Sequence, residues 1–400
     1  MNVYIPGLSA ESTALISALE ADASRADGVT FFGAWVPGVN RYDYAGLHAR
    51  ASSIAFFLPR ELRRSFTQKQ LKFHALPYTA IYSFFETRLR CDVAFLHLSP
   101  PDASGMCSTG IAADFAPAVW RRAGVRIGLL NGCMPRTRSP AIALADLDYV
   151  VEMTSGLLEY AADPMDETTA RIAANVATLI DDGDVLQIGI GTLPAAVLTQ
   201  LKDRRNLRIH SGMVTQGIVD LIDAGAISPH IDAIRIGVGL GCADFYRRLG
   251  SEERVSFHPV PVTHGFDELR KLRKFVAINS ALTIDLFGQL NVEAIDGRQV
   301  SGIGGITDFI RGASASNGGR AIIALPSITR TGVARIVGAH PPNTPIAATR
   351  SESLIVVTEH GIADLRGLSL DERADALIAV ADPTHRAELR ERWRELRRRI

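Results

Sequence analysis

The alternation of two hydrophobic periods is the feature that most constrains the fold of this chain. Short runs rich in Val, Ile and Phe alternate with segments of helical period over almost all of the 400 residues. This alternation is typical of βαβ units, in which helices connect the parallel strands of one sheet. The sequence therefore predicts an α/β protein.

The predicted elements fall into two groups. Strands are expected at 29–36, 92–98, 125–131 and 147–152, with helices between 9 and 19 and over 111–122 and 166–180. The cluster Asp181-Asp182-Gly183-Asp184 is typical of a turn that ends a helix. Strands then follow at 185–190, 207–211, 275–286, 320–325, 346–349 and 354–358, with a helix over 193–202. We therefore expect one α/β domain over 1–180 and a second over 181–400, and the similar patterns suggest a structural duplication.

Charge and cysteine content argue against several classes of protein. Lys plus Arg and Asp plus Glu both number 43, so no net field would attract nucleic acid or a membrane surface. The first residues lack the layout of a secretory signal, and the four cysteines lack metal-ligand spacing. These features predict a cytoplasmic protein with buried thiols and no metal or permanently bound cofactor. The interleaved charges over 386–399 predict a solvated terminal helix.

Two glycine-rich loops are candidates for ligand binding. In Gln187-Ile-Gly189-Ile-Gly191-Thr-Leu-Pro194 a strand passes into a helix, so a ligand could approach backbone N–H groups. The third glycine of the dinucleotide fingerprint is missing, and a tight turn without a ligand explains the pattern equally well. The second loop, 301–309, contains three glycines before a helix, which is typical of an anion or oxyanion nest, or of a surface turn. Arg320, which follows Gly318-Gly319, would be placed to meet a phosphate.

Further short motifs follow one another along the chain in a fixed order. They are Ser99-Pro-Pro-Asp102, Met134-Pro135-Arg136-Thr137, the 187–194 loop, His210-Ser211, Asn279-Ser280-Ala281, the 301–312 segment, and Gly361 to Gly367. In this order they resemble the acetyl-CoA hydrolase/transferase family, which includes 4-hydroxybutyrate and butyrate CoA-transferases. The resemblance covers essentially the whole chain.

The resemblance implies two open Rossmann-like domains of the CoA-transferase type, with the active site between them. It also implies a homo-oligomer, a dimer or tetramer, that acts on an acyl-CoA or related thioester, with coenzyme A as part of the substrate. Gly305 would donate its N–H to the thioester oxyanion. The coenzyme A contacts that the resemblance implies are Gln187, Gly189, Ile190, Gly191, Thr192, Leu193, Leu282 and Gly305. The glycine nest and the phosphate interpretation described above add Gly302, Gly304 and Arg320.

One position departs from the family pattern. Transferases of this family attack the thioester with a glutamate that follows His-Ser/Thr and precedes Met, because a carboxylate can both accept and release an acyl group. Here the segment reads His210-Ser211-Gly212-Met213, so the nucleophilic side chain is absent. Thr283 also replaces a glutamate usual before the segment that contains Asp285. These changes predict an enlarged pocket and a reaction without a glutamyl-CoA intermediate.

Several other side chains are candidate replacements for the missing carboxylate. His210 lies two residues before Gly212 on a strand and therefore projects to the same face, where it would act as a general base or form a structural hydrogen bond. Asp285 shares a face with Thr283 but is displaced along the strand by ~6.6 Å, too far to replace it directly. Glu293, Glu359 and Cys133 are further candidates, each with a structural role as the alternative.

Three functions remain open from the sequence. The first is an enzyme that cleaves or rearranges a thioester by hydrolysis, intramolecular acyl transfer, condensation or C–C cleavage, with retained oxyanion donors and no glutamyl intermediate. The second is a CoA-transferase with a substitute carboxylate. The third is a non-catalytic relative that binds CoA thioesters.

Overall fold

Short parallel strands in the first 153 residues form one sheet of the computed structural model, which describes all residues from Met1 to Ile400. The elements of this half are β1 (Asn2–Tyr4), α1 (Thr13–Ala21), β2 (Thr30–Phe32), β3 (Ser52–Ala55), α2 (Arg63–Thr67), β4 (Leu71–Phe73), α3 (Tyr78–Thr87), β5 (Val93–Leu98), β6 (Met106–Ser108), α4 (Ala116–Val119), β7 (Val125–Asn131), β8 (Ala141–Ala143), β9 (Tyr149–Met153) and α5 (Glu167–Ala177). The sheet has the order β4-β3-β2-β1-β5-β7-β9. We call it the N-terminal sheet.

The second half forms a larger sheet and several short hairpins. Its elements are β10 (Val185–Ile188), α6 (Thr192–Thr199), β11 (Arg208–Thr215), α7 (Gly217–Asp223), β12 (Ile234–Leu240), α8 (Ala243–Ser251), β13 (Val255–Phe257), α9 (Val260–Thr263), α10 (Phe266–Leu269), β14 (Phe275–Asn279), β15 (Thr283–Asp285), β16 (Leu290–Asn291), β17 (Ala294–Ile295), β18 (Arg298–Gln299), α11 (Ile306–Ala315), β19 (Arg320–Ala324), β20 (Ile336–Val337), β21 (Leu354–Thr358), β22 (Gly361–Asp364), α12 (Leu370–Val380) and α13 (Arg386–Arg397). The C-terminal sheet has the order β13-β12-β11-β10-β14-β19-β21-β22, and only β22 is antiparallel to its neighbour.

The two sheets share one strand order. In each sheet the first four strands lie side by side in sequence order, from the first strand near the middle to the fourth at one edge. The fifth strand then pairs with the other side of the first strand. This agrees with the duplication expected from the hydrophobic pattern. The order therefore reverses between β1 and β5 in one sheet and between β10 and β14 in the other. In open parallel sheets a ligand crevice forms outside the carboxyl ends of the strands at such a reversal.

Three of the predicted elements that were wrong in part pair with distant segments. Residues 111–115 are not helical, because Ala113 N–H donates to Gly237 O at 2.9 Å and so joins the C-terminal sheet. The strand expected over 275–286 is broken between β14 and β15. The strand expected at 346–349 is reduced to one bridge, between Ala348 and Leu290. Each error lies where pairing partners distant in sequence decide the local structure.

Helix α5 packs against the C-terminal sheet. Its buried side chains, Ile172, Ala173 and Val176 among them, belong to the same hydrophobic core as β10 and β11. The helix therefore shares the core of the C-terminal sheet although it precedes the expected division between 180 and 181. Asp166 caps its first turn by accepting from Thr169 N–H at 2.8 Å.

Backbone hydrogen bonds join the two halves directly. Tyr78 N–H donates to Gly304 O at 3.1 Å, and the Thr79 hydroxyl donates to Asp308 at 2.8 Å. These contacts hold the start of α3 against the loop that begins α11. They position the carboxyl ends of the two sheets beside one another. No helix of the structure has both the length and the apolar character needed to cross a lipid bilayer.

Candidate active site

A cavity of about 160 Å³ lies between the two halves. The N-terminal half contributes Val36, Phe57 and Tyr78, which follow the carboxyl ends of β2, β3 and β4. The C-terminal half contributes residues from the end of β10, from β11 and from the end of β14. The cavity therefore lies at the reversal point of the C-terminal sheet, where an α/β fold places its ligands.

The imidazole of His264 lies between Gly212 and Gly305. A Cβ atom on Gly212 would be 2.6 Å from His264 Cε1, and one on Gly305 would be 2.7 Å from His264 Nε2. Carbon atoms do not approach this closely without displacement, so both positions must lack a side chain to admit the ring. The expectation that Gly212 enlarges the pocket is therefore wrong, because the imidazole fills the space beside it.

Two aromatic rings enclose this imidazole. Tyr78 stacks on it with ring centroids 4.8 Å apart, and Phe309 packs on it at 4.5 Å. Nδ1 of His264 is 2.8 Å from the Thr263 hydroxyl oxygen. Burial, and to a smaller degree the nearby His210, lower the pKa of His264 to about 3. The ring is therefore neutral at neutral pH.

The walls of the cavity carry no ionisable group except His264 and Tyr78. None of the lining residues is Asp, Glu, Lys, Arg or Cys. Asn279 Nδ2 donates to Gln187 Oε1 at 2.9 Å, and the Ser211 hydroxyl donates to Ile188 O at 2.9 Å. The polar side chains other than His264 and Tyr78 are thus bound to one another or to the backbone.

Backbone donors border the same space. The N–H groups of Gly189 and Gly305 donate to no acceptor within the chain, and both residues line the cavity. Gly305 directly precedes the ten-residue helix α11, so its N–H lies at the positive end of the helix dipole. The arrangement can donate hydrogen bonds to a ligand oxygen and stabilise negative charge that develops on it.

The structure brings together part of the predicted site. Gly212, Gly305, Gln187, Gly189, Ile190 and Gly304 line the cavity, whereas His210, Thr283, Asp285, Gly191, Thr192, Leu193, Leu282, Gly302 and Arg320 do not. Sequence reasoning missed His264, Tyr78 and Phe309. No local pattern points to them, because the short helix α9 brings His264 to β11 from a distant part of the chain.

Arg320 does not face the cavity. It begins β19 at the amino end of the C-terminal sheet, where its guanidinium pairs with the fully buried carboxylate of Asp184 and lies 3.2 Å from Asp181. The cavity lies at the opposite end of the same sheet. The expectation that Arg320 meets a phosphate is therefore wrong, since its charge is already matched by two carboxylates.

Other candidate residues are engaged elsewhere. His210 Nε2 is 3.0 Å from Val262 O, the structural alternative considered for it. Asp285 accepts from Phe287 N–H, Gln289 N–H and the Gln289 amide within its own hairpin.

The remaining candidates also lie in other surroundings. Glu359 accepts from the backbone and hydroxyl of Ser327, and Glu293 from the Gln299 amide. Cys133 and Cys242 are exposed, contrary to the expectation of buried thiols, whereas Cys91 and Cys107 are buried. No group of three or more His, Cys, Asp or Glu side chains is arranged to hold a metal ion.

Comparison with known proteins identifies the family. Residues 241–393 match the model of the acetyl-CoA hydrolase/transferase C-terminal domain. The chain is 39% identical over 313 residues to a 4-hydroxybutyrate coenzyme A transferase from Clostridium kluyveri, across 76% of this chain and 73% of that protein. The chain belongs to the acetyl-CoA hydrolase/transferase family.

Membership of the acetyl-CoA hydrolase/transferase family confirms the resemblance found in the motifs. A succinyl-CoA:acetate/propanoyl-CoA:succinate CoA transferase from Fasciola hepatica is 31% identical over 400 residues, covering 97% of this chain and 83% of that protein. The crystal structure of RipA from Yersinia pestis matches with a TM-score of 0.91 at 29% identity, covering 99% of this chain and 94% of that one. The predicted α/β fold of the CoA-transferase type is thereby confirmed.

Proposed function

We propose that this protein is an acyl-CoA-acting enzyme that cleaves a thioester by hydrolysis, without a glutamyl-CoA intermediate. One observation carries the proposal: no carboxylate faces the cavity, and an imidazole fills the space beside Gly212 where the family pattern expects the nucleophile. Transfer through an enzyme-bound anhydride needs a carboxylate at this point. Attack by water needs only a base and an oxyanion site.

The cavity also favours a class of substrate. A buried cavity of roughly 150 Å³ holds a benzene-sized guest, so this one suits an acyl group of about six heavy atoms or fewer. Its walls offer no Lys or Arg to pair with a second carboxylate on the acyl group. We infer a short, uncharged acyl chain. A bulky chain that condenses or rearranges on the enzyme would find too little room.

The backbone N–H of Gly305 would receive the thioester oxygen. As the attacking oxygen bonds to the thioester carbon, charge moves to the carbonyl oxygen, and a donor placed there in advance lowers the barrier. A single donor of this kind is worth ~10²- to 10³-fold in rate. Gly189, whose N–H is also free, lines the cavity as well and would bind the adjoining part of the thioester.

The test is to incubate the purified protein with acetyl-, butyryl-, succinyl- and palmitoyl-CoA and to separate the products by chromatography. Chromatography is preferable to thiol reagents because Cys133 and Cys242 are exposed. We expect free acid and CoA from the short uncharged substrates, and turnover of succinyl-CoA slower by roughly tenfold or more because its second carboxylate would be buried unpaired.

Two outcomes would favour the other functions. The Clostridium kluyveri relative is named a transferase, so the same assay includes labelled acetate as acceptor. Labelled acetyl-CoA, or a CoA adduct on an acidic residue in the intact-protein mass spectrum, would establish transfer and overturn hydrolysis. Binding of CoA thioesters without formation of any product would instead show that this protein is a non-catalytic relative.

A further inference from the structure

We propose that His264 is the general base of this cavity, and that its Nε2 atom takes a proton from the water that attacks a bound thioester. The inference rests on the proposed function. Its first support is position: Nε2 would lie 2.8 Å from a Cβ atom on Gly212 and 2.7 Å from one on Gly305. The basic atom therefore lies between the missing nucleophile and the residue that carries the oxyanion donor.

The hydrogen bonds of the ring leave this atom free. Nδ1 is 2.8 Å from the Thr263 hydroxyl oxygen, which itself lies 3.5 Å from the carbonyl oxygens of Pro259 and Val260. The proposal assigns the tautomer in which the Thr263 hydroxyl donates to one of these carbonyls and Nδ1–H donates to the hydroxyl, which leaves the lone pair on Nε2. Nε2 has no protein partner, although only 3% of His264 is exposed. A side chain buried this deeply and left unpaired at a cavity is positioned to bind a ligand or a water molecule.

No other side chain at the cavity offers a free basic atom. Gln187 and Asn279 are hydrogen-bonded to each other, and the Ser211 hydroxyl donates to the backbone. The Tyr78 hydroxyl has no partner, but burial raises its pKa far above the usual value. Tyr78 therefore stays protonated and does not act as a base.

The proposed step balances without a further reactant. Nε2 removes a proton from water while the water oxygen bonds to the thioester carbon, and the carbonyl electrons move to the oxygen held by Gly305 N–H. The tetrahedral intermediate then collapses, the C–S bond breaks, and the imidazolium returns its proton to the departing sulfur. The products are the carboxylic acid and the CoA thiol, and the imidazole is again neutral.

The enclosing rings assist the charged stage of this sequence. Burial holds the pKa of His264 at about 3, so the imidazolium that forms needs stabilisation from its surroundings. The rings of Tyr78 and Phe309 pack on it, with centroids 4.8 and 4.5 Å from that of the imidazole. Aromatic faces attract cations, and the attraction is larger in a site without water. Contact with both rings also limits how far the imidazole can tilt.

The experiment compares the wild type with His264→Gln and His264→Ala, using the short acyl-CoA that the wild type cleaves fastest. We expect kcat/KM to fall by ~10²- to 10⁴-fold in both variants, with the dissociation constant for CoA changed by less than about threefold. Added imidazole should restore part of the activity of His264→Ala, where the truncated side chain leaves room for it, and none in the wild type. Circular dichroism and thermal unfolding verify that each variant is folded.

His258→Gln is the matched control. His258 is a half-buried histidine six positions earlier, its Nε2 lies 2.8 Å from the Ser256 hydroxyl, and it does not line the cavity. We expect its kcat/KM to stay within about twofold of the wild type. A folded His264→Gln variant whose kcat/KM also stays within about twofold of the wild type would overturn the role of His264 and leave the proposed hydrolysis intact. An acyl group trapped on His264 would likewise overturn the base in favour of a nucleophile, and a wild type that releases no CoA from any substrate would overturn both.

Discussion

In the N-terminal sheet the strand order reverses between β1 and β5, and the chain that follows β1 folds back over the carboxyl ends of both strands. The 3₁₀ turn Leu8–Ala10 is buried there, and Asn40 Oδ1 accepts from Leu8 N–H at 2.8 Å and from Val36 N–H at 3.0 Å. In the C-terminal sheet the corresponding loop after β10 leaves Gly189 N–H unpaired at the cavity. The same reversal of strand order is thus filled in one sheet and open in the other.

The two reversal points also hold their histidines differently. His97, on β5, has Nδ1 3.0 Å from Ala10 O and Nε2 3.0 Å from Asn131 Nδ2. His264 has one ring nitrogen paired and the other facing the cavity. Topology therefore supplies a position for a site, and the loops decide whether backbone groups and a basic nitrogen remain available for a ligand.

The largest expected effect comes from the far end of the C-terminal sheet. Arg320→Met leaves the buried carboxylate of Asp184 unpaired and should lower the free energy of unfolding by about 3–5 kcal/mol, measured by urea denaturation. The KM for acyl-CoA should be unchanged, because Arg320 does not line the cavity. The exposed Arg298 makes no ion pair with an acidic side chain, so Arg298→Met serves as control. A raised KM without loss of stability would mean that Arg320 does serve the open reversal point.

At the filled reversal point, Asn40→Ala should destabilise the protein by about 3 kcal/mol, because two buried N–H groups lose their acceptor and Glu11 loses a donor. Urea denaturation gives the value. Hydrogen exchange at Leu8 and Val36 locates the loss. Unchanged exchange at both amides would show that Asn40 does not close this loop.

At the open reversal point, Gly212→Ala places a methyl group against the imidazole of His264. Overpacking of this kind typically costs about 1–3 kcal/mol, and displacement of Nε2 should lower kcat along with stability. Gly156→Ala is the control, since nothing lies within 4 Å of a Cβ atom there. If Gly212→Ala were as stable and active as the wild type, the fixed position of the imidazole would be refuted.

The smallest expected effect is a pH dependence of the free energy of unfolding at the filled reversal point. Burial lowers the pKa of His97 to about 4, below the ~6.5 of an unfolded chain. The unfolded state therefore gains a proton first as the pH falls, so the His97 contribution is complete above pH ~6.5 and is lost at ~1.4 kcal/mol per pH unit toward pH 4.

The substitution His97→Gln removes this pH-dependent contribution to stability. The stability gap between the wild type and the variant should narrow by ~2 kcal/mol between pH 7 and pH 5, as measured by urea unfolding at both values. A gap that stays constant would show that His97 is not held neutral by the fold.

Local patterns predicted the parts of the fold that local forces decide. The strands at 125–131 and 354–358 have the predicted bounds, because their β-branched runs match a buried parallel strand whatever its neighbours are. Residues 111–115 are not helical as predicted, because Ala112 pairs with Val238 of β12 in the other half of the molecule.

The same division applies to the site. The glycine loops and Gly212 were found from motifs, since their spacing is a property of one segment. The imidazole beside Gly212 was not found, because its position depends on how β11, the short helix α9 and α11 pack together. The ion pair of Arg320 was not predicted for the same reason, since its partner Asp184 directly precedes β10, far from β19 in the sequence.

Because the His264 ring lies between Gly212 and Gly305, the residues at these three positions constrain one another in evolution. A glutamate at 212 and a histidine at 264 cannot coexist in this geometry, since the first atom of the new side chain would overlap the ring. A lineage that moves between the two arrangements therefore has to change both positions or move the imidazole from its present place. Relatives in which glycine at 212 occurs together with histidine at 264 would therefore form a separate branch, recognisable by that pair of letters in an alignment.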